Sequence, residues 1–119
     1  MVRYIKIPKF KNTTGTISVI EKLFRFKIKR VYFIYDIKGD RGGHRHIKTR
    51  QFLLCLKGKC EIVIIKNKKK KKITLSNNNK GILLEPDDWH KIINSSKDTI
   101  IVVLASEYYI EQDYINDSI

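Results

Sequence analysis

The feature that most constrains this chain is a succession of short β-type runs separated by turn residues. Isoleucine, valine and tyrosine dominate the runs, as is typical of strands on a pleated, half-buried surface. About nine runs are present, at 4–7, 16–20, 30–37, 51–56, 60–65, 72–75, 81–85, 90–93 and 99–105. Glycine, asparagine, serine and aspartate fill the segments between them,. Because no segment offers a long helical period, the sequence predicts an all-β sandwich or barrel.

The tail is the one part of the sequence that favours a helix. Residues 106–115 read SEYYIEQDYI and are predicted to form a short C-terminal helical segment. Ser106 is the candidate N-cap, and the acidic residues that follow it suit the first turn of a helix.

Two of the predicted strands are continuously apolar instead of alternating. These are FLLCL at 52–56 and IIVVLA at 100–105. A strand of this kind is buried on both faces. We therefore expect a second copy of the chain to cover the outside of a sheet, which predicts a homodimer.

Length and composition indicate a globular protein with one domain, residues 1–119,. The hydrophobic fraction of 42% and the charged fraction of 31% are ordinary for such a protein,. No apolar run approaches the roughly 20 residues that span a bilayer. The first ten residues, MVRYIKIPKF, do not resemble a signal peptide,. We expect a cytoplasmic protein with no membrane partner.

The net charge of +13 raises the question of an anionic partner,. Much of this charge is concentrated in one run, KNKKKKK at 66–72. The run has no interleaved aromatic residues and no helical period, so it favours a solvated turn over a nucleic-acid or membrane surface. The charge is compatible with an anionic small ligand.

Two cysteines, Cys55 and Cys60, flank the sequence LKGK. If Lys57 and Gly58 form a two-residue hairpin turn, the two cysteines face each other across a ladder. A cytoplasmic location favours reduced thiols. Both residues are predicted to be ordinary core residues.

The sequence contains three histidines, His44, His46 and His90. In a strand, residues i and i+2 point to the same side, so His44 and His46 project together while Arg45 points away. Two imidazoles on one face of a barrel suit either a metal site or an acid/base pair.

The glycines and histidines together resemble the two cupin motifs. The first motif, G-x5-H-x-H-x3-4-E-x6-G, is matched with one residue fewer before its first histidine and with glutamine for glutamate. Its residues are Gly39, His44, His46, Gln51 and Gly58. The second motif is echoed by Gly81, Pro86, His90 and Asn94. The resemblance implies a cupin (jelly-roll) barrel.

Within the cupins, the chain resembles the WxcM-like nucleotide-sugar 3,4-ketoisomerases over 2–115. The similar segments are RGGHRH, QFLLCLKGKC, EPDDWH and the tail LASEYYIEQDYI. The resemblance implies a homodimer with exchanged N-terminal strands, no metal and no cofactor. The implied reaction converts dTDP-4-keto-6-deoxyglucose into its 3-keto isomer, which feeds an aminotransferase that serves surface glycans such as lipopolysaccharide O-antigen.

Such a reaction needs an acid/base group and a donor for an enolate oxygen. Histidine titrates near neutral pH, so His44 and His46 are the candidate catalytic pair. Tyr32 is the candidate donor to the oxygen, with Arg30 beside it because strand parity puts both on one side. Which imidazole contacts carbon stays open.

The remaining candidate residues are substrate contacts. Arginine binds a pyrophosphate with a planar fork, which suits Arg30 and Arg41. The other predicted contacts are Tyr35, Gln51, Trp89 and His90. Strand parity places Tyr35 on the face opposite Tyr32, and His90 is either a third acid/base group or a residue that shapes the pocket.

One segment departs from the family pattern. The family has an aspartate-x-arginine-glycine segment before its second strand, and its arginine lies near the active site. Here the segment is Asn12-Thr13-Thr14-Gly15, with Thr14 at the position of that arginine. The departure leaves the substrate details and the C4 stereochemistry of the product open.

Three other functions stay open at this point. In a metal-dependent cupin, His44, His46 and His90 would be ligands and Gln51 a weak fourth, although an amide lacks the negative charge that a divalent cation prefers. A nucleotide-sugar 3,5-epimerase is disfavoured by the short chain. A basic, non-enzymatic cupin that binds nucleic acid would account for the net charge.

Overall fold

The architecture consists of strands and short turns, as the punctuated sequence predicts. The computed structural model describes residues 3–77 and 79–116. Its strands are Arg3–Lys6 (β1), Lys9–Asn12 (β2), Gly15–Ser18 (β3), Arg30–Ile34 (β4), Arg41–His46 (β5), Gln51–Lys57 (β6), Lys59–Lys66 (β7), Lys69–Ser76 (β8), Lys80–Leu84 (β9), Trp89–Ile93 (β10), Ile100–Ala105 (β11) and Tyr114–Ile115 (β12). A single 3₁₀ turn, Glu111–Asp113, precedes β12. Within these described residues, no helix is long and apolar enough to cross a membrane.

Two five-stranded antiparallel sheets form the body of the fold. The first has the order β1-β9-β6-β11-β4, and the second has the order β12-β5-β10-β7-β8. Their inner faces share one apolar core, in which Leu53, Ile82 and Ile101 of the first sheet meet Ile62 and Ile92 of the second. The short hairpin β2–β3 forms a separate two-stranded sheet.

A second apolar cluster covers the outer face of the first sheet. Phe52 and Leu54 of β6 are buried there together with Leu104 of β11. The cover is supplied by the segment 20–26 of the same chain, whose Phe24 ring lies 4.8 Å from that of Phe52. The predicted two-faced burial is correct for residues 52–55, whereas Leu56 is 49% exposed. This burial does not require a second copy, because the chain covers its own sheet.

The lysine run contains the predicted turn and is largely exposed, but the turn is short and most of the run belongs to a hairpin with an edge strand. The turn comprises only Asn67 and Lys68, both at positive φ. Lys69 already belongs to β8, which pairs with β7 along its whole length at the edge of the second sheet. Charged side chains on an edge strand discourage pairing with other molecules.

The two cysteines are core residues, but they do not face each other across a hairpin ladder. β6 lies in the first sheet and β7 in the second, so the turn at Lys57 and Gly58 carries the chain from one sheet to the other. Cys55 and Cys60 are free thiols that are buried between the sheets. A short turn between two apolar strands permits either geometry, which is why the sequence did not distinguish them.

The tail forms only one 3₁₀ turn instead of a helix capped by Ser106. The Oγ of Ser106 accepts a hydrogen bond from the Arg50 amide at 2.9 Å, and the Ser106 amide donates to the Arg50 carbonyl. These bonds commit Ser106 to the start of β6. The chain then returns across the second sheet, where β12 pairs with β5.

Candidate functional site

The histidine strand β5 begins with a glycine bulge that sets the direction of its side chains. His44 pairs with His90 of β10, whereas the next β10 residue, Lys91, pairs with Gly42, so Gly43 is an extra residue in the ladder. Gly42 and Gly43 both have positive φ, which favours glycine,. A Cβ on Gly42 would also lie 3.0 Å from the His90 carbonyl oxygen. The bulge therefore requires the glycine pair that precedes the histidines.

The three histidines meet on the inner face of the second sheet. The ring centroid of His44 lies 5.1 Å from that of His46 and 4.9 Å from that of His90. Arg45, between the pair, instead makes an ion pair with Asp87 at 2.6 Å. Strand parity predicted this division. The sequence did not predict that His90 would lie directly opposite His44.

His46 is held by a carboxylate from the tail. Its Nδ1 lies 2.9 Å from Oδ2 of Asp113, and Asp113 also accepts hydrogen bonds from the Thr49 hydroxyl and, at 2.7 Å, from the Lys48 amide. Burial on its own would raise the pKa of Asp113, but these hydrogen bonds hold it below its usual value. An ionised Asp113 keeps the proton of the neutral ring on Nδ1, so Nε2 of His46 is the basic nitrogen. That Nε2 is buried and has no hydrogen-bond partner among the described residues.

The imidazoles of His44 and His90 are also neutral bases. Nδ1 of His90 donates a hydrogen bond at 3.0 Å to the carbonyl oxygen of Asp88, which leaves Nε2 as the basic nitrogen,. Burial, together with the two neighbouring histidines, lowers the pKa of His90 to about 4. Burial and then the nearby His46 lower the pKa of His44.

The tail also supplies an aromatic residue to the site. The ring of Tyr114 lies 4.4 Å from that of His46 and 4.9 Å from that of His44. Its hydroxyl accepts a hydrogen bond from Arg30 at 3.4 Å. Sequence reasoning missed Asp113, Tyr114 and Thr49 as site residues. The signal available was the acidic and aromatic sequence EQDY in a tail already recognised as distinctive.

Tyr32 and Gln51 form the opposite wall, on the first sheet. Nε2 of Gln51 donates a hydrogen bond to the Tyr32 hydroxyl oxygen at 2.7 Å. Burial, and then the neighbouring Tyr114, raise the pKa of Tyr32 to about 12, so its hydroxyl stays protonated at neutral pH. The Arg30 guanidinium lies 5.1 Å from the centre of the Tyr32 ring. Parity predicted that Arg30 and Tyr32 share one side.

A cavity of about 320 Å³ lies between these two walls. Its lining comprises Arg30, Tyr32, Ile34, Arg41, Gly42, His44, Gln51, Leu53, His90, Ile92, Val103 and Tyr114. His46 is buried beside this lining, in ring contact with His44 and Tyr114. The structure thus brings together seven of the nine residues that the sequence predicts for the site.

The structure places the other two predicted residues elsewhere. Tyr35 is 63% exposed and lines a separate depression with Phe33. Trp89 alternates with His90 along β10, so its side chain lies on the other face of the sheet, in a depression with Arg45,. Thr14 lies at the tip of the β2–β3 hairpin, where its amide and hydroxyl donate to Asn12.

The same histidines have the geometry of a metal-binding group. One nitrogen from each of the three rings lies within 4.8 Å of the others, and the group contains no carboxylate. Neutral imidazoles whose other nitrogen is fixed by an oxygen acceptor suit first-row divalent metals. The geometry therefore fits either a metal or an acid/base function.

The comparison with protein families identifies the family to which this chain belongs. All of residues 1–119 match the family described as FdtA: WxcM-like, C-terminal. The chain belongs to the FdtA family. One curated relative is the TDP-4-oxo-6-deoxy-alpha-D-glucose-3,4-oxoisomerase of Aneurinibacillus thermoaerophilus. It is 39% identical over 117 residues, which cover 95% of this chain and 84% of the relative.

Solved structures of 3,4-ketoisomerases share the fold of this FdtA-family chain. WlaRA, a TDP-fucose-3,4-ketoisomerase from Campylobacter jejuni, matches with a TM-score of 0.91 and 34% identity over 98% of this chain and 89% of its own. The ketoisomerase QdtA from Thermoanaerobacterium thermosaccharolyticum, in complex with TDP, matches with a TM-score of 0.93 and 34% identity over 98% and 88%. A dTDP-4-dehydrorhamnose 3,5-epimerase from Bacillus anthracis shares the fold at 16% identity, with a TM-score of 0.83 over 95% and 76%. The predicted cupin barrel is confirmed.

Proposed function

We propose that this protein is a TDP-sugar 3,4-ketoisomerase that converts TDP-4-keto-6-deoxyglucose into a TDP-3-keto-6-deoxyhexose. The observation that carries the proposal is the His44–His46 pair beside the cavity, with His46 oriented by Asp113. Membership of the FdtA family and the 3,4-oxoisomerase activity in the name of its relative support this substrate class. The 3-keto product suits an aminotransferase that makes amino sugars for surface glycans.

The proposed reaction moves a proton from C3 to C4 through an enediol. The His44–His46 pair takes the C3 proton, and the neutral state of both rings at pH 7 suits this step,. The positive charge rests best on His46, because the Asp113 carboxylate stabilises its imidazolium,. The pair then returns a proton to C4, while one hydroxyl proton passes from O3 to O4. Atoms and electrons balance without any oxidant.

The oxygen that gains negative charge needs a donor that is already in place. Tyr32 presents a protonated hydroxyl in the cavity wall, and Nε of Arg30 is buried without a hydrogen-bond partner in the described part of the chain. Donors fixed before the reaction stabilise the developing enolate without a cost of reorganisation. Arg41, which is exposed and lines the cavity, is the proposed contact for the diphosphate,.

The proposal includes a cytoplasmic homodimer in which N-terminal strands are exchanged. In the structure β1 pairs with β9 of its own chain, whereas the β2–β3 hairpin pairs only with itself. Phe10 and Ile17 of this hairpin, and Val31 and Phe33 on the edge strand β4, are exposed apolar side chains that a second copy would cover,. We expect light scattering to give twice the chain mass of 14.0 kDa. A monomer at micromolar concentration would contradict this part. Nucleic acid and membrane are not proposed partners.

The deciding experiment is incubation with TDP-4-keto-6-deoxyglucose in D2O, followed by NMR of the product. We expect a 3-keto sugar with deuterium at C4, since a proton held on histidine exchanges with solvent. The coupling constants of the product also assign the C4 configuration, which the sequence leaves open. Unchanged 4-keto sugar in the presence of folded protein would refute the proposal.

Metal analysis tests the competing function of the histidine group. We expect full isomerase activity after dialysis against a chelator, because the proposed steps use only side chains of this protein. Loss of activity that returns on addition of one equivalent of a divalent metal would replace the acid/base proposal with a metal-dependent one.

A further inference from the structure

The pair formed by Gln51 and Tyr32 has an unused hydrogen-bonding capacity that faces the cavity. Gln51 is 2% exposed, and its Oε1 is buried without a donor among residues 3–77 and 79–116. Its Nε2 donates to the Tyr32 hydroxyl oxygen, so the Tyr32 proton is not needed for that bond. Both residues line the cavity. A buried polar atom without a partner is costly, and such atoms in a cavity mark where a ligand group belongs.

The polarity of the pair is defined by elementary bonding. With Nε2 as the donor, the pair presents the Tyr32 O–H as a donor beside Oε1 of Gln51 as an acceptor, and the second N–H of Nε2 is a further donor. If the amide were turned over, Nε2 would be the free donor and the Tyr32 oxygen the free acceptor. In either orientation the pair offers the ligand at least one donor and one adjacent acceptor.

We propose that this donor–acceptor pair recognises the adjacent ketone and hydroxyl of the substrate, with Tyr32 donating to the keto oxygen and Gln51 accepting from the neighbouring hydroxyl. The inference rests on the proposed function and makes Gln51 a specificity-determining residue. An α-hydroxyketone carries one acceptor and one donor on neighbouring carbons, which complements the pair. The same two contacts suit the 3-keto product, in which the ketone and the hydroxyl have exchanged carbons.

Glutamine is required at this position because of its neutral amide. A glutamate at position 51 would accept the Tyr32 proton and leave no donor for the keto oxygen. Its charge would also repel the enediolate. Once protonated, however, its carboxyl group again offers one donor to Tyr32 and one free acceptor. The other titratable or charged residues that line the cavity are Arg30, Arg41, His44, His90 and Tyr114. His46 lies beside this lining with its partner Asp113.

The first test is a binding cycle that removes either the hydroxyl or the amide. All binding measurements use the His46→Asn background, which slows turnover of the substrate. Calorimetry then measures the affinities of TDP-4-keto-6-deoxyglucose and of its 3-deoxy analogue. With Gln51 present, we expect the 3-hydroxy compound to bind roughly 5- to 150-fold more tightly, the effect of leaving one buried polar atom unpaired. With Gln51→Met, which keeps the side-chain length, we expect the preference to fall to about twofold or less. A preference of the same size in both proteins would overturn the inference.

The second test uses the charge of the side chain and remains informative if Gln51→Met does not fold. We expect Gln51→Glu to lose about 100-fold in kcat at pH 8, the scale of a lost oxyanion donor. The activity of this variant should rise as the pH falls and the new carboxyl group becomes protonated, whereas that of the parent does not rise. Gln112→Glu is the matched control, because Gln112 is exposed and lines no part of the cavity.

Failure of this inference differs from failure of the proposed function. If the parent protein incorporates deuterium at C4 and Gln51→Glu does so at the same rate at pH 8, the role of Gln51 is refuted and the ketoisomerase activity stands. If the parent protein leaves the sugar unchanged, the proposed function itself has failed.

Discussion

His46 and His90 are two buried imidazoles in one sheet with different partners. They are 2% and 5% exposed, and burial lowers the pKa of both. The Asp113 carboxylate opposes that effect at His46, and the Asp88 carbonyl opposes it at His90. At His90, burial and the two neighbouring histidines prevail and the pKa falls to about 4. A carboxylate adds the attraction of a full negative charge, which a neutral carbonyl lacks, so His46 is better suited than His90 to carry a proton. This difference favours His46 over His90 for the proposed acid/base function.

The largest expected effect of a substitution is therefore at His46. We expect His46→Asn to lower kcat by roughly 1,000-fold, within the range for the loss of a general acid/base group. His90→Asn should lower it by about tenfold or less, since His90 lines the cavity but stays uncharged. The rate of deuterium incorporation at C4 measures both. Equal losses in the two variants would show that the carboxylate partner is not what separates them.

Asp113 is a positioning residue, and its replacement tests the source of the difference directly. In Asp113→Asn, the amide oxygen has to accept from the Lys48 amide, so the NH2 group takes the place of Oδ2 beside His46. An NH2 group there donates a hydrogen bond to Nδ1, so the neutral ring adopts the tautomer with its proton on Nε2. The basic nitrogen at Nε2 is thereby lost. We expect a loss in kcat on the order of 100-fold.

The pH profile separates this role from a purely structural one. Asp113 raises the pKa of His46, so its removal lowers that pKa further. The acid limb of kcat/KM, below which the base is protonated, should therefore move to lower pH in Asp113→Asn. Asp87→Asn is the matched control, because Asp87 is exposed and pairs with Arg45 on the other side of β5. An unmoved acid limb would contradict the orienting role of Asp113.

Local periodicity predicted which strand residues share the site, but it did not predict the residues that the C-terminal tail contributes. The two-residue repeat of a strand was enough to put His44 with His46, and Arg30 with Tyr32. The same repeat places Tyr35 on the opposite face, as predicted. Applied to β10, it also places Trp89 opposite His90, so the prediction that Tyr35 and Trp89 contact the substrate is not supported by their positions. The Asp113 contact depends on a tail that returns to β5 across 67 residues of sequence, and no local pattern reports such a return.

The same distinction between local and long-range information explains the errors in the fold. The two-faced burial of β6 followed from its composition, but the identity of the cover did not, because the segment 20–26 has no strand or helix pattern of its own. The turn at Lys57 and Gly58 was located correctly. Whether it joins neighbours in one sheet or crosses between two sheets depends on pairings with β10 and β11, which are far along the chain.

The low pKa of His90 predicts a stability effect in acid. The unfolded chain binds a proton at His90 near pH 6.5, whereas the folded protein binds it only near pH 4,. Stability from this group is therefore complete above pH 6.5 and is lost as the pH falls toward 4. We expect His90 to account for a loss on the order of 2 kcal/mol between pH 7 and pH 5. Urea denaturation of the parent and of His90→Gln measures this loss, which the variant should lack. An identical loss in the two proteins would contradict the buried, uncharged state of His90.

The smallest expected effect is at Trp89, whose side chain strand parity places on the face of β10 opposite the site. Trp89 adjoins His90 in sequence, yet its side chain lies in the depression with Arg45, and its Nε1 is buried without a hydrogen-bond partner in the described part of the chain. We expect Trp89→Phe to change kcat and KM by about twofold or less, because it removes no group that faces the cavity. A KM that rises tenfold with kcat unchanged would mean that the nucleotide end of the substrate extends around β10 to the outer face. The same assay on His90→Asn, one position along the strand, completes the comparison. If the site is confined to the inner face, kcat and KM change with the substitution at His90 and not with that at Trp89.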